Sequence, residues 1–301
     1  MVSILVFPGQ GSQAVGMGKD LYDNNADARS VFEEVDSALN QKLSDLIFNG
    51  PMEELTMTAN VQPAIFAVSM AMLRAFGKIP DDVKYVAGHS LGEYTALCAV
   101  GAISVSDTAK LLRLRGDAMQ TAVPVGQGAM AVIMGINIDK LLALCKAAEK
   151  KAGKDMVCDI ANDNSPGQVV ISGSKPAIEI AMELAKEAGA KRAMLLPLSV
   201  PPHSRLMQPV AEKMQEALNK IEIATPVLPL VSNKTTAPMT DINEIKEALV
   251  YQITHGVRWR ETVLGLPSLG VTETIEVGPG AILTGLTPRI VPELAARKLE
   301  I

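Results

Sequence analysis

The chain is poor in the residues that usually build metal or redox centres: three cysteines and three histidines occur among 301 residues. Cys98, Cys145 and Cys158 are odd in number and show no C-x-x-C spacing, which excludes a disulfide framework and a zinc site as organising features. They are read as packing residues, and no metal or other cofactor is expected. No apolar run approaches the roughly 20 residues that cross a bilayer. The N-terminus enters an apolar strand without the basic start, long apolar stretch and cleavage site of a signal peptide, so a cytoplasmic protein with no membrane attachment is expected. Positive charge is not in excess either. Twenty-eight Lys and Arg against 33 Asp and Glu leave a net charge of −5, which argues against a nucleic-acid surface and obliges an acidic partner to find a local basic patch. What remains is an ordinary globular balance, 48% hydrophobic and 20% charged, in a chain long enough for one large domain or two.

The most informative stretch is Lys84-Tyr85-Val86-Ala87-Gly88-His89-Ser90-Leu91-Gly92-Glu93-Tyr94, which predicts strand, sharp turn and helix in succession. Ser90 stands at the turn in a G-x-S-x-G frame, and Thr95 to Val100 continue as a helix closed by Gly101. Glycine is needed on both sides because the turn brings neighbouring backbone too close for a Cβ. The pattern by itself also suits a serine that caps a helix. The apolar segment before it and the helical segment after it favour a nucleophile elbow, with the Leu91 N–H facing a developing oxyanion at the helix N-terminus.

The first strand, Ser3 to Phe7, runs into Pro8-Gly9-Gln10-Gly11-Ser12-Gln13. The P-loop lysine and serine are missing, so a nucleotide site is weakly supported, and free backbone N–H groups suit an oxyanion site equally well. Residues 26 to 48 read as surface helices, and Thr58 to Phe76 as an apolar helix starting near Asn60, with Gln62 able to reach a site or cap the helix. Ser106 is the expected N-cap of a helix from Asp107 to Ala122. On it Arg113 has mixed polar neighbours, whereas Arg115 has Leu111, Leu112, Ala118 and Met119 at helical spacing. A guanidinium on an inward face must find an anion, from the protein or from a ligand. Arg115 is therefore a candidate for a substrate carboxylate.

From Gly126 the pattern changes to β-α-β-β-α-β: strand Ala129 to Met134, helix Ile138 to Lys151, strands Met156 to Ala161 and Gln168 to Ser172 across Asn162–Gly167, helix Pro176 to Ala188, and strand Arg192 to Leu196. The fold class expected is α/β, with a parallel-sheet core at 1–125 and 198–301 and a ferredoxin-like subdomain inserted at 126–197. Pro226 to Ser232 is read as a strand, Asn243 to Ile253 as a helix, and Thr272 to Val277 as the last strand, after which Gly278-Pro279-Gly280 serves tight packing. For the base that Ser90 needs, His89 alternates away from it along the strand. That leaves His203 and His255. His203, on a Pro201-Pro202 approach where a loop meets the sheet edge, is the better placed.

These motifs together resemble the malonyl-CoA:acyl carrier protein transacylase family over essentially the whole chain. They are residues 7–13, residues 88–93, Arg115-Gly116 with Met119-Gln120, residues 162–168, Pro202-His203-Ser204, Gln252 before Val257-Arg258-Trp259, and residues 276–280. The resemblance implies an α/β-hydrolase-like core, Ser90 as nucleophile, His203 as general base, and Gln10 and Leu91 N–H groups as oxyanion hole. It also implies Arg115 and Met119 in the substrate site and a Gln252 main-chain carbonyl that orients His203. Two departures bear on the site. Pro202 replaces the family's common serine or phenylalanine, and His255-Gly256 replaces a usual proline, placing a second imidazole near Gln252.

The implied reaction moves malonyl from malonyl-CoA to the pantetheine thiol of acyl carrier protein through malonyl-Ser90, in a monomer that needs no cofactor. A serine hydrolase or thioesterase would share the acyl-enzyme, and a non-catalytic acyl-binding module would share the cleft. An acidic carrier is expected to dock near Lys191, Arg192 and Arg205.

Overall fold

The structure is a computed structural model of the chain and describes residues 1–198 and 200–301. Its strands in chain order are β1 (Ser3–Phe7), β2 (Val83–Gly88), β3 (Gly128–Met134), β4 (Cys158–Ser165), β5 (Gln168–Ser174), β6 (Arg192–Leu195), β7 (Leu230–Val231), β8 (Pro238–Met239), β9 (Glu273–Glu276) and β10 (Ala295–Lys298). Six of them form one sheet in the order β10-β9-β1-β2-β7-β8, parallel except for β8. The remaining four form an antiparallel sheet in the order β4-β5-β3-β6. The chain is thus α/β with the β-α-β-β-α-β segment making its own sheet.

The central strand shows why the larger sheet is parallel and covered. Every residue of β1 is buried. Leu5 and Phe7 join the core that contains Ile65, Phe66, Leu97 and Leu111, while Ile4 and Val6 join the opposite core around Trp259, Leu283 and Leu286. A strand covered on both faces needs an unbroken apolar run, which is what residues 4–7 provide. The helix Thr58–Phe76 is buried along nearly its whole length on one of these faces. Pairing of Phe7 with Gly88 ends β1 and β2 side by side. The loop after β1 and the turn after β2 therefore leave the sheet at neighbouring points.

One face of the antiparallel sheet is covered by helices Ile138–Ala152 and Lys175–Glu187. Its other face carries Met130, Val132 and Val170, which line the cleft between the two sheets. Strand β4 ties the sheets together. The Asp163 N–H donates to the Val257 carbonyl at 2.9 Å, the Val257 N–H to the Ala161 carbonyl at 2.9 Å, and Arg260 pairs with Asp163 at 2.8 Å. Among the described residues no helix is long and apolar enough to cross a membrane.

Several expected boundaries move. β4 continues through Asn162 and Asp163, because both pair with β5, and the turn shrinks to Pro166-Gly167. Ser104 caps the helix Val105–Ala122 by accepting the Asp107 N–H at 3.0 Å, and Ser106 instead donates to Glu34. The strand expected from Pro226 is only Leu230–Val231. The strand expected to be last is followed by β10, a short edge strand with a charged half that periodicity did not reveal.

Candidate active site

At the elbow the backbone of Ser90 is left-handed, with φ 55°, a conformation a non-glycine residue adopts only when its surroundings force it. A Cβ at Gly88 would overlap the backbone of Gly92, and one at Gly92 would overlap the Phe7 carbonyl. The two glycines let the turn seat directly on β1. Helix Gly92–Ala99 starts there, with Leu91 at its N-cap, so the Leu91 N–H is among the donors that a helix leaves without an intrahelical acceptor.

His203 reaches this turn from a long way down the chain and is also left-handed, with φ 58°. Ser90 Oγ lies 2.8 Å from His203 Nε2, and His203 Nδ1 lies 2.6 Å from the Gln252 main-chain carbonyl. A carbonyl only accepts, so Nδ1 carries the proton and Nε2 is left to accept from the Ser90 hydroxyl. Burial, reinforced by the Arg115 charge, pushes the His203 imidazole down to about 3. The ring is therefore neutral at neutral pH, with its Nε2 lone pair directed at the Ser90 hydroxyl. His255 is elsewhere: it is exposed and stacked on Tyr251 with ring centroids 3.7 Å apart. His89 points away from Ser90, as alternation predicts, and its Nε2 meets Asn164 Oδ1 at 2.8 Å.

Arg115 is 2% exposed. Its Nη1 donates to Gln62 Oε1 at 2.6 Å, and its Nη2 donates to Ser90 Oγ and Gln252 Oε1 at 3.0 Å each. All three acceptors are neutral. Its Nε–H has no hydrogen-bond partner among the described residues, and none of the salt bridges among them includes Arg115. Burial lowers the guanidinium's proton affinity, but it remains a cation. Met119 is buried beside it, its sulfur accepting from Gln62 Nε2 at 3.6 Å. Gln62 therefore reaches into the site rather than capping its helix.

These groups open on a cavity of about 510 Å³ bounded by Gln10 and Leu91 on the core side, by Met130, Val132 and Val170 on the antiparallel sheet, and by Pro202 beside His203. That is the size of a small-molecule cleft. Sequence reasoning missed Glu93, buried behind Gln252, and Asn164, which anchors His89. Both stand in motifs that carry the resemblance, residues 88–93 and 162–168, but neither motif by itself tells what the side chain meets. Of the three cations expected to receive a carrier, Arg205 is engaged by Glu149 and by Asp159, the latter at 2.9 Å, which reduces the positive charge it offers a partner.

Residues 4–291 match the family model described as "Acyl transferase domain". The chain is 46% identical over 285 residues to a Bacillus subtilis protein named malonyl CoA-acyl carrier protein transacylase, covering 95% of this chain and 89% of that one. A crystal structure of acyl-carrier-protein-S-malonyltransferase from Bartonella henselae superposes with a TM-score of 0.96 and 49% identity, covering 100% of this chain and 96% of that one. A malonyl-transacylase solved in complex with a type II PKS acyl-carrier protein superposes at 0.94 with 42% identity, covering 99% and 96% of the two chains.

Proposed function

The chain belongs to the malonyl-CoA:acyl carrier protein transacylase family of acyltransferases, and on that premise we propose that it transfers malonyl from malonyl-CoA to the thiol of acyl carrier protein by way of an ester on Ser90. The observation that carries this reading is Arg115: a buried guanidinium whose hydrogen-bond acceptors are all neutral, one of them the Ser90 oxygen at 3.0 Å, while the nearby Glu93 carboxylate is bonded to Gln252 and Asn233 instead. A buried cation calls for an anion. The free carboxylate of a malonyl group held on Ser90 supplies one beside this guanidinium, and the unpartnered Nε–H next to Nη2 offers it a two-point grip.

In the first half-reaction His203 Nε2 takes the Ser90 proton as Oγ attacks the thioester carbon. Negative charge gathers on the carbonyl oxygen, where the N–H groups of Leu91 and Gln10 stabilise it. The carbon–sulfur bond breaks, the imidazolium returns the proton to the departing CoA sulfur, and malonyl-Ser90 remains. In the second half the carrier's thiol gives its proton to His203 and its sulfur attacks the ester carbon. Collapse returns the proton to Ser90 Oγ and releases the malonyl thioester. The Gln252 carbonyl fixes the ring tautomer throughout, the part an acidic third member plays in a full triad.

A serine hydrolase would share the first half and differ in the second. The test is incubation with malonyl-CoA with and without holo-acyl carrier protein, following free CoA and free malonate. Transfer predicts stoichiometric CoA release without carrier and sustained turnover with it. Sustained malonate release without carrier would contradict the proposal.

A further inference from the structure

One buried ionisable group takes no part in these proton transfers. Glu93 has no exposed surface and sits in the first turn of helix Gly92–Ala99. Its Oε1 accepts the Asn233 N–H at 2.7 Å, and its Oε2 accepts from Gln252 Nε2. Asn233 is held in turn, its Nδ2 donating to the Gly88 carbonyl at 2.7 Å. An ionised carboxylate only accepts, so it dictates which end of a side-chain amide faces it. The Gln252 amide lies between opposite demands. Its nitrogen meets Glu93 and the Ser90 carbonyl, the latter at 3.3 Å, while its oxygen receives Arg115 Nη2 at 3.0 Å. Turning the amide over would set oxygen against oxygen on one side and N–H against N–H on the other.

We propose that Glu93 is a positioning residue for acyl selectivity: its carboxylate locks the Gln252 amide, and through it the Arg115 guanidinium, in the orientation that receives the far carboxylate of the acyl group. This rests on the reading of Arg115 as the carboxylate grip. The charged or titratable groups facing Glu93 are Arg115, from helix Val105–Ala122, and Tyr94, from its own helix; the segment after β7 and helix Ile242–Thr254 present only the neutral Ser232, Asn233 and Gln252. Burial pushes the Glu93 carboxyl up to about 7. The lock is therefore set above neutrality and released below it, because a protonated carboxyl can also donate and no longer dictates the amide's direction. His203, pushed down to about 3, does not titrate in that window.

The experiment compares rates of Ser90 acylation by malonyl-CoA and by acetyl-CoA, read by intact-protein mass, in the wild type, Glu93→Gln and Glu93→Asp. Loss of the charge-assisted bond predicts a malonyl-to-acetyl ratio lowered about tenfold in Glu93→Gln, with the acetyl rate little changed and the ratio largely kept in Glu93→Asp. The wild-type ratio should also fall as pH drops from about 8 to about 6. A folded Glu93→Gln with an unchanged ratio overturns the proposal; if that variant does not fold, a wild-type ratio flat across the same range does so. A wild type that malonyl-CoA fails to acylate overturns the underlying reading of Ser90 and Arg115, a result distinct from a measurable but unchanged ratio in Glu93→Gln.

Discussion

The two walls of the cleft are built by different rules. On the core side, chemistry-bearing groups sit on strained or fully buried backbone: Ser90 and His203 at positive φ, Arg115 at 2% exposure, Glu93 at none. Each is held by at least two partners. On the antiparallel side the wall is a sheet face of Met130, Val132 and Val170, and its polar part is the uncharged side chains of Asn162, Asn164 and Gln168. A single-layer sheet backed by helices offers an apolar surface whose residues can be exchanged at modest cost, whereas the elbow cannot shift without moving β1. The contrast implies that reaction and carboxylate reading belong to the first wall, and that the second chiefly encloses the acyl chain.

The largest effect that would sharpen this contrast is at the elbow. Gly92→Ala drives a methyl into the Phe7 carbonyl, and a clash with backbone in a packed core should cost about 3 kcal/mol or more; urea unfolding measures it. Next comes the cation. Arg115→Ala should lower malonyl loading of Ser90 by on the order of 10–100-fold while acetyl loading falls far less, from the loss of a charged hydrogen-bonding partner worth about 1.5–3 kcal/mol. An unchanged preference would mean that the carboxylate is read elsewhere.

A third effect is on pH dependence. A base works while neutral, and a lowered pKa extends that range downwards. With His203 at about 3, acetyl loading should stay level from about pH 8 to about pH 5, where an imidazole with the ordinary pKa near 6.5 would already be failing. An acid limb centred near that ordinary value would contradict the buried, neutral ring. The smallest effect belongs to the other wall. Val132→Ala should cost about 1 kcal/mol of stability at this half-buried site and alter malonyl loading by less than about threefold. A loss there as large as that of Arg115→Ala would erase the distinction between the walls.

Much of this was legible in the chain because the signals were local. G-x-S-x-G between an apolar run and a helical run marks the elbow, and helical spacing alone separates Arg115 from Arg113. The order β-α-β-β-α-β foretold the separate antiparallel sheet. The misses have two causes. Asn164 meets His89 across 75 positions and Glu93 meets Gln252 across 159, and no local pattern encodes a partner so distant. β10 was missed because a four-residue edge strand carries too little alternation to register. Arg205 was expected to offer a partner its charge, yet Glu149 and Asp159 lie beside it only once the antiparallel sheet has formed.

The central claim, that one hydroxyl carries the acyl group while a fixed cation grips its far end, is tested most directly by locating the label. Peptide mapping of the protein after brief exposure to malonyl-CoA should place one malonyl ester on the peptide containing Ser90, absent in Ser90→Ala and strongly reduced in Arg115→Ala. A malonyl ester on any other residue, or one that persists in Ser90→Ala, would contradict it.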